Sequence, residues 1–191
     1  MNVNSLLQLK SAFAAIVTSV MLAACADRSP AGPGLEPSLN STATAAGPEL
    51  GDCDNLQPPA GATFAFRAYA RGVQTYRWTG TAWMPAGPKA DLFADAGENA
   101  AIGTHYVGPY WESLNGSKVK GAVIEKCTVT ANAIDWLSLS ATAEGAPGIF
   151  SKVVFIQRVN TVGGKAPATG GAVGEVVEVP YSAEYYFYRG R

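Results

Sequence analysis

The segment "EVVEVPYSAEYYFY" constrains the fold of this 191-residue chain more than any other stretch does. Apolar and aromatic residues occupy every second position along it: Val177, Val179, Tyr181, Ala183, Tyr185 and Phe187. A period of two residues is typical of a β-strand with one buried face. We therefore predict a long strand here, and Pro180 indicates that it lies at an edge or contains a bulge.

Most of the chain after about residue 52 carries the same kind of strand signal. Further predicted faces are Phe64, Phe66 and Ala68; Val119, Val123, Cys127 and Val129; and Val153, Phe155, Gln157 and Val159. Asn115-Gly116 predicts a hairpin turn. Only "PKADLFADAGENAA" looks different, and it predicts one short helical turn near residues 90–95. We predict an all-β fold, an antiparallel β-sandwich or barrel-like domain with at most one short helix, over residues 52–191; the strand order stays open.

The N-terminus resembles a bacterial lipoprotein signal. Lys10 precedes the apolar run "SAFAAIVTSVMLAAC", which is too short to span a bilayer as a permanent helix. The run ends in "LAAC", where small residues precede a cysteine whose thiol can accept a lipid. We expect a signal peptide over residues 1–24, lipidation of Cys25, and a flexible tether rich in Pro, Gly, Ser and Thr over residues 25–51. The alternative is a chance cysteine after a signal with an ordinary cleavage site.

These features predict an exported protein. By resemblance to bacterial sorting rules, Ala26 after the cysteine favours the outer membrane, so we expect a lipid-anchored protein on its periplasmic face or at the cell surface. The membrane is then a partner through Cys25. The remaining cysteines, Cys53 and Cys127, form an even pair in an oxidising compartment, which predicts a disulfide. The alternative is two separate buried thiols.

Charge and composition argue against several classes of function. The chain has 14 Lys and Arg residues, 15 Asp and Glu residues and no basic block, so we expect no nucleic-acid partner. A single histidine is too few for a zinc or copper site, and we expect no metal. The glycines of residues 163–174 do not have the spacing of a dinucleotide-binding loop and lie between two predicted strands, so we expect no cofactor.

The motif "GTHYVGPYWE" contains the candidate site. Its glycines and proline predict a shaped loop over residues 103–109, with His105 exposed at the rim of a pocket, so that its replacement by alanine would change stability little. The candidate catalytic residues are His105 and Glu112, which together can transfer protons. The candidate ligand-binding residues are His105, Tyr106, Trp111, Glu112 and Gln157. The alternative is that His105 bonds to backbone and Glu112 pairs with an arginine such as Arg158.

Several motifs taken together resemble one known family. They are "GVQTY", "PKADL", "GTHYVGPYWE", "GSKV", "IDWLSLSA", "IQRVNTVGGKAP" and "VPYSAEYYFY", in this order over about residues 60–188. The combination is similar to the domain-of-unknown-function family 3455 of bacteria and fungi. The resemblance implies a secreted domain and supplies no catalytic residues. Members of that family often have a cysteine near the position of Trp78 and another in the glycine-rich loop; both are missing here, which implies a looser loop.

Three hypotheses of function follow from the sequence. The first is a lipid-anchored domain of the cell envelope that binds a small molecule or an envelope glycan. The second is an uncharacterised enzyme that uses His105 and Glu112 for acid–base chemistry. The third is a purely structural envelope protein. A concave pocket that contains these two residues separates the first two hypotheses from the third.

Overall fold

The computed structural model describes residues 47–190, which form a closed barrel of eight antiparallel strands. The strands are β1 (Thr63–Trp78), β2 (Trp83–Phe93), β3 (Ala101–Tyr106), β4 (Tyr110–Ser113), β5 (Ser117–Cys127), β6 (Trp136–Gly145), β7 (Val153–Gly163) and β8 (Val176–Arg189). Each strand pairs with the next along the chain, and β8 pairs with β1 to close the barrel. The predicted all-β fold is confirmed. The expected signal peptide, Cys25 and the first part of the tether lie outside the described residues.

Helical structure is limited to one short turn within residues 47–190. It is a 3-10 turn at Asp54–Leu56. The helical turn predicted near residues 90–95 was wrong, because Ala90–Phe93 belong to β2 and pair with β1 and β3. In this part of the chain, no helix is long and apolar enough to cross a membrane.

Strand β8 has the buried face that its alternation predicts. Its inward residues are Tyr181, Ala183, Tyr185 and Phe187, and all four are buried in the barrel interior. Val177 and Val179 are half-buried at the start of the strand. Pro180 lies one position beyond the last pair of the β7–β8 ladder, and its carbonyl oxygen accepts a hydrogen bond from Gly164 N. Because Pro180 lies beyond the paired residues, its missing N–H removes no hydrogen bond from the β7–β8 ladder.

Two other predicted faces are divided by β-bulges. In β1 the register shifts between Phe64 and Phe66, so Phe66 packs inside the barrel and Phe64 packs outside it. In β7 a shift between Val153 and Phe155 has the same effect. The predicted face of β5 also contains a register shift. The prediction that each set shares one face was therefore wrong, because a bulge adds one residue and reverses the alternation beyond it.

Residues 50–57 cover the outer face of β7 and β8 and form a second, smaller core. The buried residues of this core are Leu50, Cys53, Leu56, Phe155, Val159, Tyr186 and Tyr188. A disulfide joins Cys53 to Cys127 at the end of β5, which confirms the predicted pair. The two cysteines are 74 positions apart, and closing a loop of that length stabilises the fold by about 4 kcal/mol in the chain-entropy model.

The two ends of the barrel differ. At the closed end, where β1 begins and β8 ends, Phe150 from the β6–β7 loop is fully buried. Its ring centroid lies 5.6 Å from that of Phe66 and 5.2 Å from that of Phe187. Ser117 Oγ accepts a hydrogen bond from the Phe150 backbone N–H at 3.1 Å. We call the opposite end, where β2, β4, β6 and β8 begin, the open end.

Candidate functional site

The motif "GTHYVGPYWE" forms a β-hairpin, and the loop predicted over residues 103–109 was wrong. The first part of the motif belongs to β3, residues 107–109 make the turn, and β4 begins at Tyr110. Gly103 lies within β3, where an added Cβ would approach the Glu112 carbonyl oxygen to 2.1 Å. This glycine therefore permits the close approach of two strands, and it does not signal a loop.

The alternation of this hairpin divides the predicted site residues into two groups. His105 pairs with Trp111, and both side chains point into the barrel, with 3% and 1% of their surface exposed. Tyr106 and Glu112 occupy the alternate positions and lie on the outer face. The fold thus brings His105 and Trp111 together, and it separates His105 from Glu112 by the barrel wall.

His105 is an uncharged part of the interior. Its ring stacks on that of Trp111 with centroids 4.2 Å apart, and Tyr185 contacts both rings edge-on. Nδ1 donates a hydrogen bond to the Tyr110 carbonyl oxygen at 2.8 Å, and Nε2 has no hydrogen-bond partner within residues 47–190. Burial lowers the pKa of His105 to about 3, and the positive charge of Arg158 acts in the same direction. At neutral pH, Nε2 is therefore a hydrogen-bond acceptor.

A cavity of about 170 Å³ lies beside this aromatic stack, towards the open end. Its apolar wall consists of Pro88, Pro109, Val123, Leu137 and Leu139. Its polar wall consists of Gln74, His105, Trp111, Arg158 and Tyr185. All eight strands or their adjoining turns contribute to these walls. The mouth of a small β-barrel is a common position for a ligand site.

Four buried side-chain atoms make no hydrogen bond of normal geometry within the described part of the chain; one of them, Tyr181 Oη, belongs to a neighbour of Gln74 and Tyr185, and the other three belong to the cavity wall. These three atoms are Gln74 Nε2, Trp111 Nε1 and Tyr185 Oη. A buried donor without a partner costs about 1 to 3 kcal/mol, and such groups are rare in native proteins. Burial raises the pKa of Tyr185, so its phenol stays protonated at neutral pH. A bound polar group would give these donors a partner.

Arg158 supplies the positive charge at the cavity. It lies directly opposite Tyr185 in the β7–β8 ladder. Its Nε and Nη2 donate to the Asp135 carbonyl oxygen at 3.2 and 2.8 Å, and its guanidinium also lies beside the Tyr185 hydroxyl. The Asp135 carboxylate accepts a hydrogen bond from Thr128 and lies 3.8 Å from Lys165 Nζ. No carboxylate of the described residues lines the cavity, so nothing in its walls neutralises Arg158.

The outer face of the hairpin carries a separate polar cluster. The Tyr106 hydroxyl donates to Glu112 Oε2 at 2.5 Å, and this bond is the main reason that the pKa of Tyr106 rises to about 12. Tyr110 stacks on Tyr106, and the amines of Lys118 and Lys120 lie over its ring. Glu112 therefore pairs with a tyrosine rather than with Arg158, whereas the expected hydrogen bond from His105 to backbone is present.

Gln157 lies away from the cavity, on the outer face of β7 beneath residues 50–57. Its Nε2 donates to the Leu56 carbonyl oxygen at 2.7 Å, and its Oε1 accepts from the Tyr188 hydroxyl at 2.5 Å. Both ends of this buried amide are thus satisfied within the fold. Gln157 was a candidate ligand-binding residue because a buried amide needs hydrogen-bond partners. Leu56, in the segment before β1, supplies one of these partners.

The cavity also contains residues that sequence reasoning did not assign to the site. Tyr185 was predicted to be buried but was given no role in binding, and Gln74 was not considered. A signal for Gln74 exists, because it continues the inward series Ala68, Ala70 and Gly72 at two-residue steps. A polar residue at an inward position of a small-residue strand is an informative exception to burial patterns.

The glycine-rich loop between β7 and β8 is attached to two tryptophans at the open end. Trp83 Nε1 donates to the Thr169 carbonyl oxygen at 2.8 Å. Trp78 packs against Gly170, and the rings of Trp78 and Trp83 lie 5.3 Å apart. The tryptophan pair therefore connects the start of β2 and the end of β1 to this loop.

Comparison with known proteins gives one family. The model described as "Protein of unknown function (DUF3455)" matches residues 59–189, a range that includes all eight strands and every residue of the cavity walls. No curated protein and no solved structure matches the chain.

Proposed function

The chain belongs to the DUF3455 family, and we propose that it binds a small molecule in the cavity at the open end of its barrel. The observation that carries this proposal is the group of three buried, unsatisfied polar atoms in one cavity wall: Gln74 Nε2, Trp111 Nε1 and Tyr185 Oη. A wall that served packing alone would be apolar or internally bonded. Aliphatic side chains line the same cavity, and a mainly apolar lining with a few polar groups is the usual composition of a ligand site.

The size of the cavity favours a small molecule over a glycan chain. An engineered cavity of about 150 Å³ in another protein binds benzene, so a cavity of about 170 Å³ accommodates roughly one ring with a substituent. A glycan would insert at most one sugar unit. We therefore favour a compact ligand with one polar end and one apolar end.

The outer surface near the open end carries several exposed apolar side chains. Most of the exposed large apolar side chains of residues 47–190 lie at or near this end: Met84, Val107, Val123, Ile124, Val129, Val162, Val173 and Val176. Exposed apolar surface near a cavity is typical of a binding region. It suits a ligand that is itself partly apolar.

We further propose that the domain is exported and attached to a membrane through lipid on Cys25. The support is the motif "LAAC" after an apolar run of signal-peptide length. The disulfide between Cys53 and Cys127 agrees with an oxidising compartment. In this setting the ligand is a small molecule of the cell envelope or its surroundings.

We do not propose proton transfer by His105 and Glu112. The two side chains lie on opposite faces of the barrel wall, and Glu112 is engaged with Tyr106. A histidine whose pKa lies near 3 is also a weak base at neutral pH. A purely structural role is the alternative that the following experiment excludes or establishes.

The test of the proposal compares two neighbouring residues of β5, Val123 and Ile124. Val123 lines the cavity and Ile124 does not, yet their exposed fractions are similar, 57% and 53%. Single-ring fragments are screened by ligand-observed NMR against the full chain and against Val123→Trp and Ile124→Trp. We expect hits with the unaltered chain and Ile124→Trp, and their loss with Val123→Trp, because the indole fills the cavity mouth. Hits that survive equally in both variants, or no hits at all, would contradict the proposal.

A further inference from the structure

We propose that the ligand is a small organic anion, in its simplest form a carboxylic acid with an apolar body of about one ring, whose charged group pairs with Arg158. This inference rests on the proposed function and adds the chemical class of the ligand. It is carried by the arrangement of charge and hydrogen-bond donors around the cavity.

The first step of the argument is the charge of the walls. Arg158 is the one ionised group among the residues that line the cavity, and no carboxylate of residues 47–190 lines it. The Asp135 carboxylate, on the loop before β6, is engaged by Thr128 and Lys165. A half-buried guanidinium without a counter-ion is unfavourable, and an anionic ligand would supply that counter-ion.

The second step is the sign of the neighbouring dipoles. Arg158 and Tyr185 face each other across the β7–β8 ladder, at a spacing typical of interacting cross-strand pairs. The Trp111 indole N–H and the Gln74 amide N–H are donors that make no hydrogen bond of normal geometry, and the Tyr185 hydroxyl lies beside Arg158 and Tyr181. Together with Arg158, these donors match an acceptor-only group such as a carboxylate, whereas His105 Nε2 is an unpaired acceptor in the same wall and does not contribute to the match.

The third step is the position of the apolar wall. Leu137 lies opposite Arg158 in the β6–β7 ladder, and Leu139 follows it on the same face of β6. Together with Val123 of the neighbouring strand β5 they form a run of aliphatic side chains in the cavity wall. A ligand whose charge contacts Arg158 therefore places its body against aliphatic side chains.

The test compares isosteric acids and amides. Benzoate and benzamide, and phenylacetate and phenylacetamide, are titrated calorimetrically into the full chain at neutral pH. We expect each acid to bind at least about tenfold more tightly than its amide, because a charge-assisted hydrogen bond is roughly twice as strong as a neutral one. The unaltered chain alone gives this comparison, so it does not depend on the folding of any variant.

The Arg158→Gln variant identifies the residue that causes the preference, with Arg189→Gln as the matched control. Arg189 is an exposed arginine at the closed end of the barrel. We expect Arg158→Gln to abolish the difference between acid and amide and Arg189→Gln to leave it unchanged.

The outcomes separate this inference from the proposed function. Amides that bind as tightly as their acids would overturn the inference while leaving small-molecule binding intact. Acids that do not bind would also overturn it, and the Val123→Trp comparison then decides whether neutral fragments still occupy the cavity. An acid preference that persists in Arg158→Gln would exclude Arg158 as its cause and contradict the assignment.

Discussion

Replacement of Trp111 by alanine is expected to lower the free energy of unfolding by about 3 to 5 kcal/mol, the usual cost of removing a buried aromatic side chain. Trp111 is 1% exposed and contacts His105, Tyr185 and Phe187 through its ring. Gly121 of β5 makes room for it, since an added Cβ there would lie 2.8 Å from the indole. A neighbourhood shaped around one ring cannot close over the space that alanine leaves. Urea denaturation followed by circular dichroism measures the loss.

Trp83→Ala is the control for this prediction, because Trp83 is half-exposed at the open end and should lose less stability. His105→Ala belongs to the same series. The sequence predicted a small effect of His105→Ala, as for a surface residue. Because His105 is buried, we now expect this variant to lose stability clearly. If Trp111→Ala were no more destabilising than Trp83→Ala, the barrel interior described above would be wrong.

The second large effect is a loss of stability in mild acid that comes from His105. Its pKa falls from 6.5 in the unfolded chain to about 3 in the folded protein because the ring is buried. As the pH falls below 6.5, the unfolded chain binds a proton that the folded protein refuses, so the unfolded state is favoured. The histidine leaves stability unaffected above about pH 7.5 and removes about 2 to 3 kcal/mol by pH 4.5.

Denaturation curves at several pH values for the unaltered chain and for His105→Gln measure this contribution. His105 is the single histidine of the chain, so the difference between the two pH profiles isolates it from the carboxylates that both proteins share. We expect the stability difference to change between pH 7.5 and 4.5, in the sense that the variant loses less. Parallel profiles over this range would show that His105 titrates normally and is solvated.

The fold was predictable where the alternation is unbroken. In β8 the inward residues from Tyr181 to Phe187 are four consecutive odd positions, and the structure buries them all. The same reasoning failed at Phe64 and Val153, because each is followed by a bulge that reverses the pattern. A bulge is set by the pairing with a neighbouring strand, which a local sequence pattern does not contain. The choice of a barrel over a sandwich likewise depends on the β1–β8 pairing.

The site was predictable only in part, for a related reason. His105 and Trp111 were found because they belong to one short motif, and the hairpin brings them together. The other polar residues of the cavity come from distant strands: Arg158 from β7, Tyr185 from β8 and Gln74 from β1. They approach His105 and Trp111 only when the barrel closes. Spacing along the chain also suggested the pairing of His105 with Glu112. In the hairpin, residues that pair directly share a face of the sheet. His105 pairs with Trp111, so Glu112, the next residue along β4, points to the opposite face.

The central claim is that the cavity beside His105 and Trp111 is the ligand site, and the indole N–H of Trp111 is its most direct reporter. The chain has four tryptophans, each with one indole N–H that gives a signal in a ¹H–¹⁵N spectrum, and a Trp111→Phe variant assigns the signal of interest. The tightest-binding fragment of the screen is titrated into the full chain. We predict that the Trp111 signal shifts most, because its unsatisfied N–H lies in the cavity wall. An unchanged Trp111 signal, with shifts confined to Trp78, Trp83 or Trp136, would contradict the claim.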